Sequence, residues 1–290
     1  MSGERIRTEL QLHPWDEPNL FDRAVNRDPQ AIAAAWRQPG TRIIELDADG
    51  RFWPQPLGVP TQGPLDEEAA YLGRAGQRHW FVRRSTPISV GSTIREAELD
   101  GLQRQLLMAG LAVLNWIERS RYCARCGTRL RRTRGGFAAQ CPGCGLEHFP
   151  RTDPAVIVAV LDHQDRIFLA HQGAWGTNRA SLLAGFVESG ESAENALFRE
   201  LAEEAALQID AFRYLGSQPW PFPRSLMLAY VARSGSVGRV DGIELEWGGW
   251  YSRTELASAE ASGERVLPGH GSIARRVVDA WRAGGLPSPE

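Results

Sequence analysis

The chain has 290 residues, is 42% hydrophobic and 23% charged, and carries a net charge of −2. It is long enough for two compact units plus a small module, and no apolar run approaches the roughly 20 residues that span a bilayer. All 33 basic residues are arginine, which excludes Schiff-base lysine chemistry and a P-loop lysine.

The N-terminal MSGERIRTEL has no apolar core of a secretion signal, so a cytoplasmic protein without membrane contact is expected. From Met1 to about Pro87 the chain is rich in proline, glycine and tryptophan. Arg42–Leu46 runs through Asp47-Ala48-Asp49-Gly50 into Arg51-Phe52-Trp53, a pattern that predicts a hairpin, and His79–Val82 is a further strand candidate. A helix is expected to begin at Thr93, because Thr93 and Glu96 have capping-box spacing. Leu99, Leu102, Leu106, Ala109, Val113 and Trp116 then advance by threes and fours along one buried stripe. Nothing in this first domain, 1–118, carries a catalytic constellation, so a scaffold or dimerisation role is expected of it.

All four cysteines fall in one place: Cys123-x-x-Cys126, fourteen residues, then Cys141-x-x-Cys144. Four thiolates so spaced suit one tetrahedral Zn²⁺ in a closed structural site, a zinc ribbon over 119–150. Two disulfides are the alternative, disfavoured in reducing surroundings. His148 lies just beyond the second knuckle as a surface or packing residue. Arg119, Arg121, Arg125, Arg129, Arg131, Arg132 and Arg134 surround the knuckles with no acid between Arg119 and Leu146, a patch able to meet nucleic-acid phosphates.

The third segment, 151–290, opens on Ala155–Leu161, a continuous apolar run expected of a strand buried on both faces. Arg166–Ala170 is expected as its hairpin partner, Ser181–Leu183 leads onward, and further strands are expected around Phe212–Gly216, Ser225–Val231 and Glu246–Tyr251. A last helix is expected over Ser272–Ala283. Between them lies Gly185–Leu207, GFVESGESAENALFRELAEEAAL. With Ser192 as N-cap, Glu200, Glu203 and Glu204 share one helix face, and Ala196, Leu197, Leu201 and Ala205 face a core. Three crowded carboxylates point to a hard divalent cation, Mg²⁺ or Mn²⁺, rather than to an ordinary solvated acidic helix.

Gly185, Glu191, Arg199, Glu200, Leu201, Glu203, Glu204 and Leu207 fall where the Nudix box has them, so this segment resembles a Nudix hydrolase. Ala206 replaces that box's late glycine, at a cost of about 1 kcal/mol if its backbone is left-handed. Ten residues on, Ser217-Gln218-Pro219-Trp220-Pro221-Phe222-Pro223-Arg224-Ser225 offers proline-stiffened rings suited to stacking on a base, and resembles the SQPWPFPxS array of NADH pyrophosphatases. The resemblance covers about Tyr122 to Arg276 and touches the N-terminal part only loosely.

It implies an α+β chain: a Nudix α/β/α sandwich preceded by a zinc ribbon and an N-terminal mixed α/β domain, Nudix-like or scaffold in character. It also implies zinc ligands at Cys123, Cys126, Cys141 and Cys144, and metal ligands at Glu200, Glu204 and the Ala184 carbonyl. Glu203 becomes metal ligand or proton acceptor, and Glu244 a further metal and substrate ligand, with Glu246 the competing position one register away. Gln218, Pro219, Trp220, Pro221, Phe222, Pro223, Arg224 and Ser225 become the dinucleotide segment, Ala274 a substrate contact, and Phe149 a base-stacking ring that serves its own or a partner's site in a homodimer. Arg199 is read as orienting the carboxylates.

The implied reaction is hydrolysis of the pyrophosphate bond of NAD(H) to nicotinamide mononucleotide and AMP, with Glu203 or Glu244 accepting the proton of the attacking water. The same bond in NAD-capped RNA is the alternative substrate, and a nucleic-acid-binding zinc ribbon with an inactive Nudix unit is the non-enzymatic alternative.

Overall fold

The computed structural model describes residues 27–176 and 178–289. Residues 1–26, which include the segment read above for a secretion signal, lie outside the described residues. By packing, the chain divides into two compact units, one of 27–152 with 220–224 and one of 153–219 with 225–289. Among the described residues no helix is long and apolar enough to cross a membrane.

The first unit opens on α1 (Pro29–Arg37), where the Asp28 carboxylate caps the helix by accepting from Ala31 N. Its strands are β1 (Arg42–Leu46), β2 (Arg51–Phe52), β3 (Val59–Pro60), β4 (Ala70–Ala75), β5 (Arg78–Arg84) and β6 (Ser92–Thr93). Four of them form a mixed sheet in the order β3-β1-β5-β4, while β2 pairs with β6. The hairpin predicted between Arg42–Leu46 and Arg51–Trp53 is thus corrected. The turn closes through Asp47 N to Arg51 O, but β1 takes β5 as a parallel neighbour and β2 leaves for another sheet.

The helix start is also corrected. α2 (Gly101–Arg119) is capped by Asp100, whose carboxylate accepts from Gln103 N while Gln103 returns a bond to Asp100 N. Thr93 instead ends β6 by pairing with Arg51, and its carbonyl closes a single turn by accepting from Glu96 N and Ala97 N, which does not continue into α2. Leu106, Ala109 and Val113 of the expected stripe are buried, together with Leu107, Leu111 and Leu114. The ribbon follows as β7 (Arg131–Thr133), β8 (Ala138–Gln140) and β9 (Glu147–His148), paired in that order.

The second unit is built on β10 (Asp153–Leu161), β11 (Ile167–Gln172), β12 (Leu183–Phe186), α3 (Ala193–Ala205), β13 (Ile209–Trp220), β14 (Ser225–Ser234), β15 (Leu245–Tyr251), α4 (Arg253–Ala261) and α5 (Ile273–Arg282). Strand order is β13-β14-β10-β11-β15, with β12 added on β10. β11 touches β10 only at Leu161–Ile167 and makes its long ladder with β15, so the expected β10–β11 hairpin is a corner rather than a full pair. Along β10, Val156, Val158 and Val160 pack with Ala196, Leu197 and Leu201 of α3, whereas Ile157, Ala159 and Leu161 pack with Val277, Val278 and Trp281 of α5. Two covered faces explain the unbroken apolar run and make the expected α/β/α sandwich.

Ser192 caps α3 by accepting from Asn195 N, as its sequence position predicts. The helix ends on Ala206 at φ 50°, ψ 35°, with Leu207 N bonded to Leu201 O. An alanine Cβ is strained in this left-handed cap, so Ala206→Gly is expected to stabilise the protein by about 1 kcal/mol, read as a rise in the unfolding midpoint. A lowered midpoint would count against a strained cap.

Candidate active site and zinc centre

The acidic face of α3 lies against β12. A Cβ at Gly185 would sit 1.9 Å from the Glu200 carboxyl carbon, so only glycine lets that carboxylate lie on the strand. Arg199 organises the face. It donates to both oxygens of Glu191 (2.9 Å each), to Glu200 (2.9 Å), to Glu203 (3.3 Å) and to the Phe186 carbonyl (2.9 Å). These bonds hold Glu191 below the usual carboxylate range.

The three glutamates differ in surroundings. The Glu203 side chain is 63% exposed and Glu204 only 8%. Burial, then repulsion from Glu200 and a hydrogen bond with Glu244, pushes Glu204 up to about 8; burial also raises Glu200, against the pull of Arg199.

The loop before β15 completes the cluster. Arg239 N and Asp241 N donate to the carbonyls of Ala205 and Glu204 in the last turn of α3, which carries Glu244 to the Glu204 carboxyl. Asp241, held low by the backbone N–H groups of Glu244 and Leu245, fixes the loop. Glu246 lies elsewhere, 3.6 Å from His171 Nε2, so Glu244 is the member of the pair that faces the cluster.

Ala184, Glu200, Glu203, Glu204, Ser225 and Glu244 line one cavity of about 560 Å³. Sequence reasoning assigned no site role to several other lining residues, among them Phe186, 54% exposed, Trp175 and Asp241. Phe186 was legible as the residue after the motif glycine on an alternating strand. Trp175 carried no signal, because its place depends on loop packing. Hard oxygen donors, among them the buried Glu204 carboxyl, the half-buried Glu200 and a strand carbonyl, fit Mg²⁺ or Mn²⁺ by donor chemistry.

The remaining predicted substrate residues are not gathered there. Gln218 is fully buried, and its amide donates to Gly271 O (2.8 Å) and accepts from Ile273 N (2.6 Å) at the start of α5. Ala274, one residue into that helix, is part of the core between sheet and α5, and Pro219 does not line the cavity. Trp220, Pro221, Phe222, Pro223 and Arg224 belong to the first unit. There Phe222 stacks under Arg95 (4.0 Å) and edge-on to Trp220 (5.0 Å), and Asn115 donates to the Pro221 and Pro223 carbonyls. Phe149, 53% exposed, shares a cavity of about 290 Å³ with Pro223, Arg224, Asn115, Arg119 and Arg151.

Cys123, Cys126, Cys141 and Cys144 gather their Sγ atoms within 4.8 Å of one another. Each knuckle is closed alike: Cys123 N to Thr128 O and Gly127 N to Cys123 O, then Cys141 N to Leu146 O and Gly145 N to Cys141 O. Gly127 (φ 73°) and Gly145 (φ 74°) supply the left-handed residue each turn needs. The Sγ separations of 3.3 Å (Cys126–Cys141) and 3.7 Å (Cys123–Cys144) are far from a bond of about 2.05 Å and close to the edge of about 3.8 Å of a tetrahedron with 2.3 Å zinc–sulfur distances. The residues present therefore fit a structural zinc. His148 Nε2, 3.4 Å from Cys123 Sγ, packs against this cluster. Of the basic patch, Arg132 is held by the Glu67 and Glu68 carbonyls and the Glu68 carboxylate, and Arg121 by Glu118 O.

The chain is similar to known proteins over both its ribbon and its catalytic segment. Residues 151–268 match the NUDIX domain, and residues 118–149 match the NADH pyrophosphatase zinc ribbon domain. The chain is 39% identical to the NAD-capped RNA hydrolase NudC of Mycobacterium bovis (strain BCG / Pasteur 1173P2), over 90% of this chain and 92% of that protein. It is 37% identical to the protein of the same name from Yersinia enterocolitica, over 70% and 75% of the two chains. A crystal structure of a NUDIX hydrolase from Nitrosomonas europaea is similar over 59% of this chain and 96% of its own, at 20% identity and a TM-score of 0.45. With its ribbon, its Nudix unit and its near full-length likeness to the Mycobacterium bovis protein, the chain belongs to the NudC family of zinc-ribbon Nudix hydrolases.

Proposed function

We propose that this chain is a hydrolase of the pyrophosphate bond of NAD(H), releasing nicotinamide mononucleotide and AMP, and that it cuts the same bond in NAD-capped RNA. The observation that carries this reading is the pairing of buried Glu204 with Glu200 and Glu244 around the Ala184 strand in a single cavity. Such mutual repulsion is costly for a fold and has no use in a purely structural unit. Mg²⁺ or Mn²⁺ held by these carboxylates would neutralise the diphosphate and acidify the attacking water.

The chain's own residues then divide the work. Arg199 fixes the orientation of Glu200 and Glu203, and exposed Glu203 is the group free to accept the water's proton. Phe186 offers a planar wall to a substrate ring. The arginine-rich ribbon is what supports an RNA substrate beside the free dinucleotide, although Arg121, Arg129 and Arg132 share their cavity of about 370 Å³ with Glu68 and Glu118. Cytoplasmic residence suits four cysteines that form no disulfide. A homodimer, with Phe149 serving a partner's site, is the assembly we propose; light scattering of the purified protein tests it.

Product analysis with NADH and Mn²⁺ tests the reaction, and kcat/KM on NADH against NAD-capped RNA ranks the two substrates. Glu203→Gln is expected to lower turnover at least about a hundredfold with the fold intact, on the scale of a general base. Wild-type turnover in that variant would remove Glu203 from the proton transfer.

A further inference from the structure

Trp175 stands in the wall of the glutamate cavity, yet neither the acidic motif nor the proline-stiffened segment accounts for it. It lies in the loop that follows β11, where Trp175 N donates to Gln172 O (2.9 Å). That loop is stitched down at its far end. Val266 N donates to Asn178 O, Ala180 N to Val266 O, and the Asn178 amide to Gly263 O (2.8 Å).

Beneath the indole runs a ladder of rings and cations. Arg265 lies 4.0 Å over Trp247, Trp247 stacks on His171 at 5.5 Å and 7°, and His171 meets Trp175 at 6.2 Å and 79°. Arg179 closes the far side, 5.9 Å from the Trp175 ring. His171 itself is locked. Its Nδ1 lies 2.7 Å from the Arg179 carbonyl, which can only accept, so Nδ1 carries the proton.

A half-buried tryptophan braced in this way adds nothing to either apolar core of its unit, since neither core cluster includes it. It is a pre-ordered aromatic surface beside the carboxylates. Phe186 is a second one, on β12, and the two come from different elements of the same cavity. A dinucleotide has two planar rings joined by a diphosphate. We infer that Trp175 is a stacking platform for one of those two rings, a contact that sets substrate affinity rather than the chemical step. The inference rests on the pyrophosphatase reading and names a specificity residue within it.

The test compares Trp175→Ala and Trp175→Phe with the wild-type protein on NADH, which has both rings, and on ADP-ribose, which keeps only adenine. Stacking on a base supports a KM for NADH raised roughly tenfold to a hundredfold in the alanine variant, with kcat little changed and most of the loss restored by phenylalanine. A parallel rise for ADP-ribose assigns Trp175 to adenine; an unchanged ADP-ribose KM assigns it to nicotinamide. An alanine variant with KM for NADH within about twofold of wild type overturns the inference. So does a phenylalanine variant as impaired as alanine when both melt at the wild-type temperature. NADH binding to the three proteins in EDTA, followed by nicotinamide fluorescence, separates the two claims. A wild-type protein that binds NADH in EDTA and still fails to cleave it when Mn²⁺ is restored in excess loses the pyrophosphatase reading, while the ratio of affinities still decides the role of Trp175.

Discussion

Glu204→Gln is expected to lower NADH turnover about a thousandfold while making the cation-free protein more resistant to heat at alkaline pH. The activity loss follows from removing the most buried carboxylate of the cluster, at a site where charge neutralisation on a diphosphate is worth several kcal/mol. The stability gain follows from the environment of the same group. Glu204 is pushed up to about 8 from an ordinary 4.5 by burial and by repulsion from Glu200 and Glu244. The folded protein therefore holds a proton that the unfolded chain gives up. The stability this contributes is complete below pH 4.5 and is lost as the pH climbs through about 8.

Glutamine is neutral throughout, so its melting temperature should stay flat where that of the wild-type protein falls. Mn²⁺ should stabilise the wild-type protein, since its charge replaces the missing proton, and should stabilise the variant much less. The measurement is a set of melting curves from pH 5 to 9, with Mn²⁺ and with EDTA, beside turnover. Parallel curves for the two proteins would contradict the assignment of Glu204 as a buried cation ligand.

Cys141→Ser is expected to abolish the zinc site and with it the order of the ribbon. β7, β8 and β9 are two or three residues each, and among the described residues of the ribbon only Cys123, Gly136, Ala138, Ala139 and Cys141 are buried. An apolar core of that size cannot offset the entropy of ordering about thirty residues, so the folding free energy must come from the metal, on the order of 10 kcal/mol or more in small zinc modules. Metal analysis of the purified wild-type protein should return one zinc per chain and of the variant none. Amide exchange over 121–149 should then lose its protection. A variant that keeps protected ribbon amides without zinc would show that the module folds on its remaining contacts.

Much of the chemistry was legible in the sequence because it is carried by short-range spacing. A Cys-x-x-Cys knuckle closes on itself through Gly127 and Gly145, and the Ser192 cap, the shared face of Glu200, Glu203 and Glu204 and the left-handed Ala206 depend on residues within one or two helical turns. The role of Arg199 could likewise be read from its position, since its partners Glu191, Glu200 and Glu203 belong to the same motif. The N-terminal elements were less legible. The Thr93–Glu96 spacing does place the Thr93 hydroxyl on the Glu96 carboxylate, but it closes only one turn, and the long helix begins behind the Asp100 cap.

Helical and knuckle geometry repeat every few residues, so the sequence alone determined which ligands travel together: four cysteines, three glutamates and the arginine beside them. Only the tertiary structure decided which carboxylate is deprived of water, that Glu244 and not Glu246 joins it, and that Gln218 and Phe222 are engaged by hydrogen bonds and packing. Those outcomes depend on what a distant strand or loop lays over each side chain, and desolvation is a property of the packed interior that no local spacing encodes.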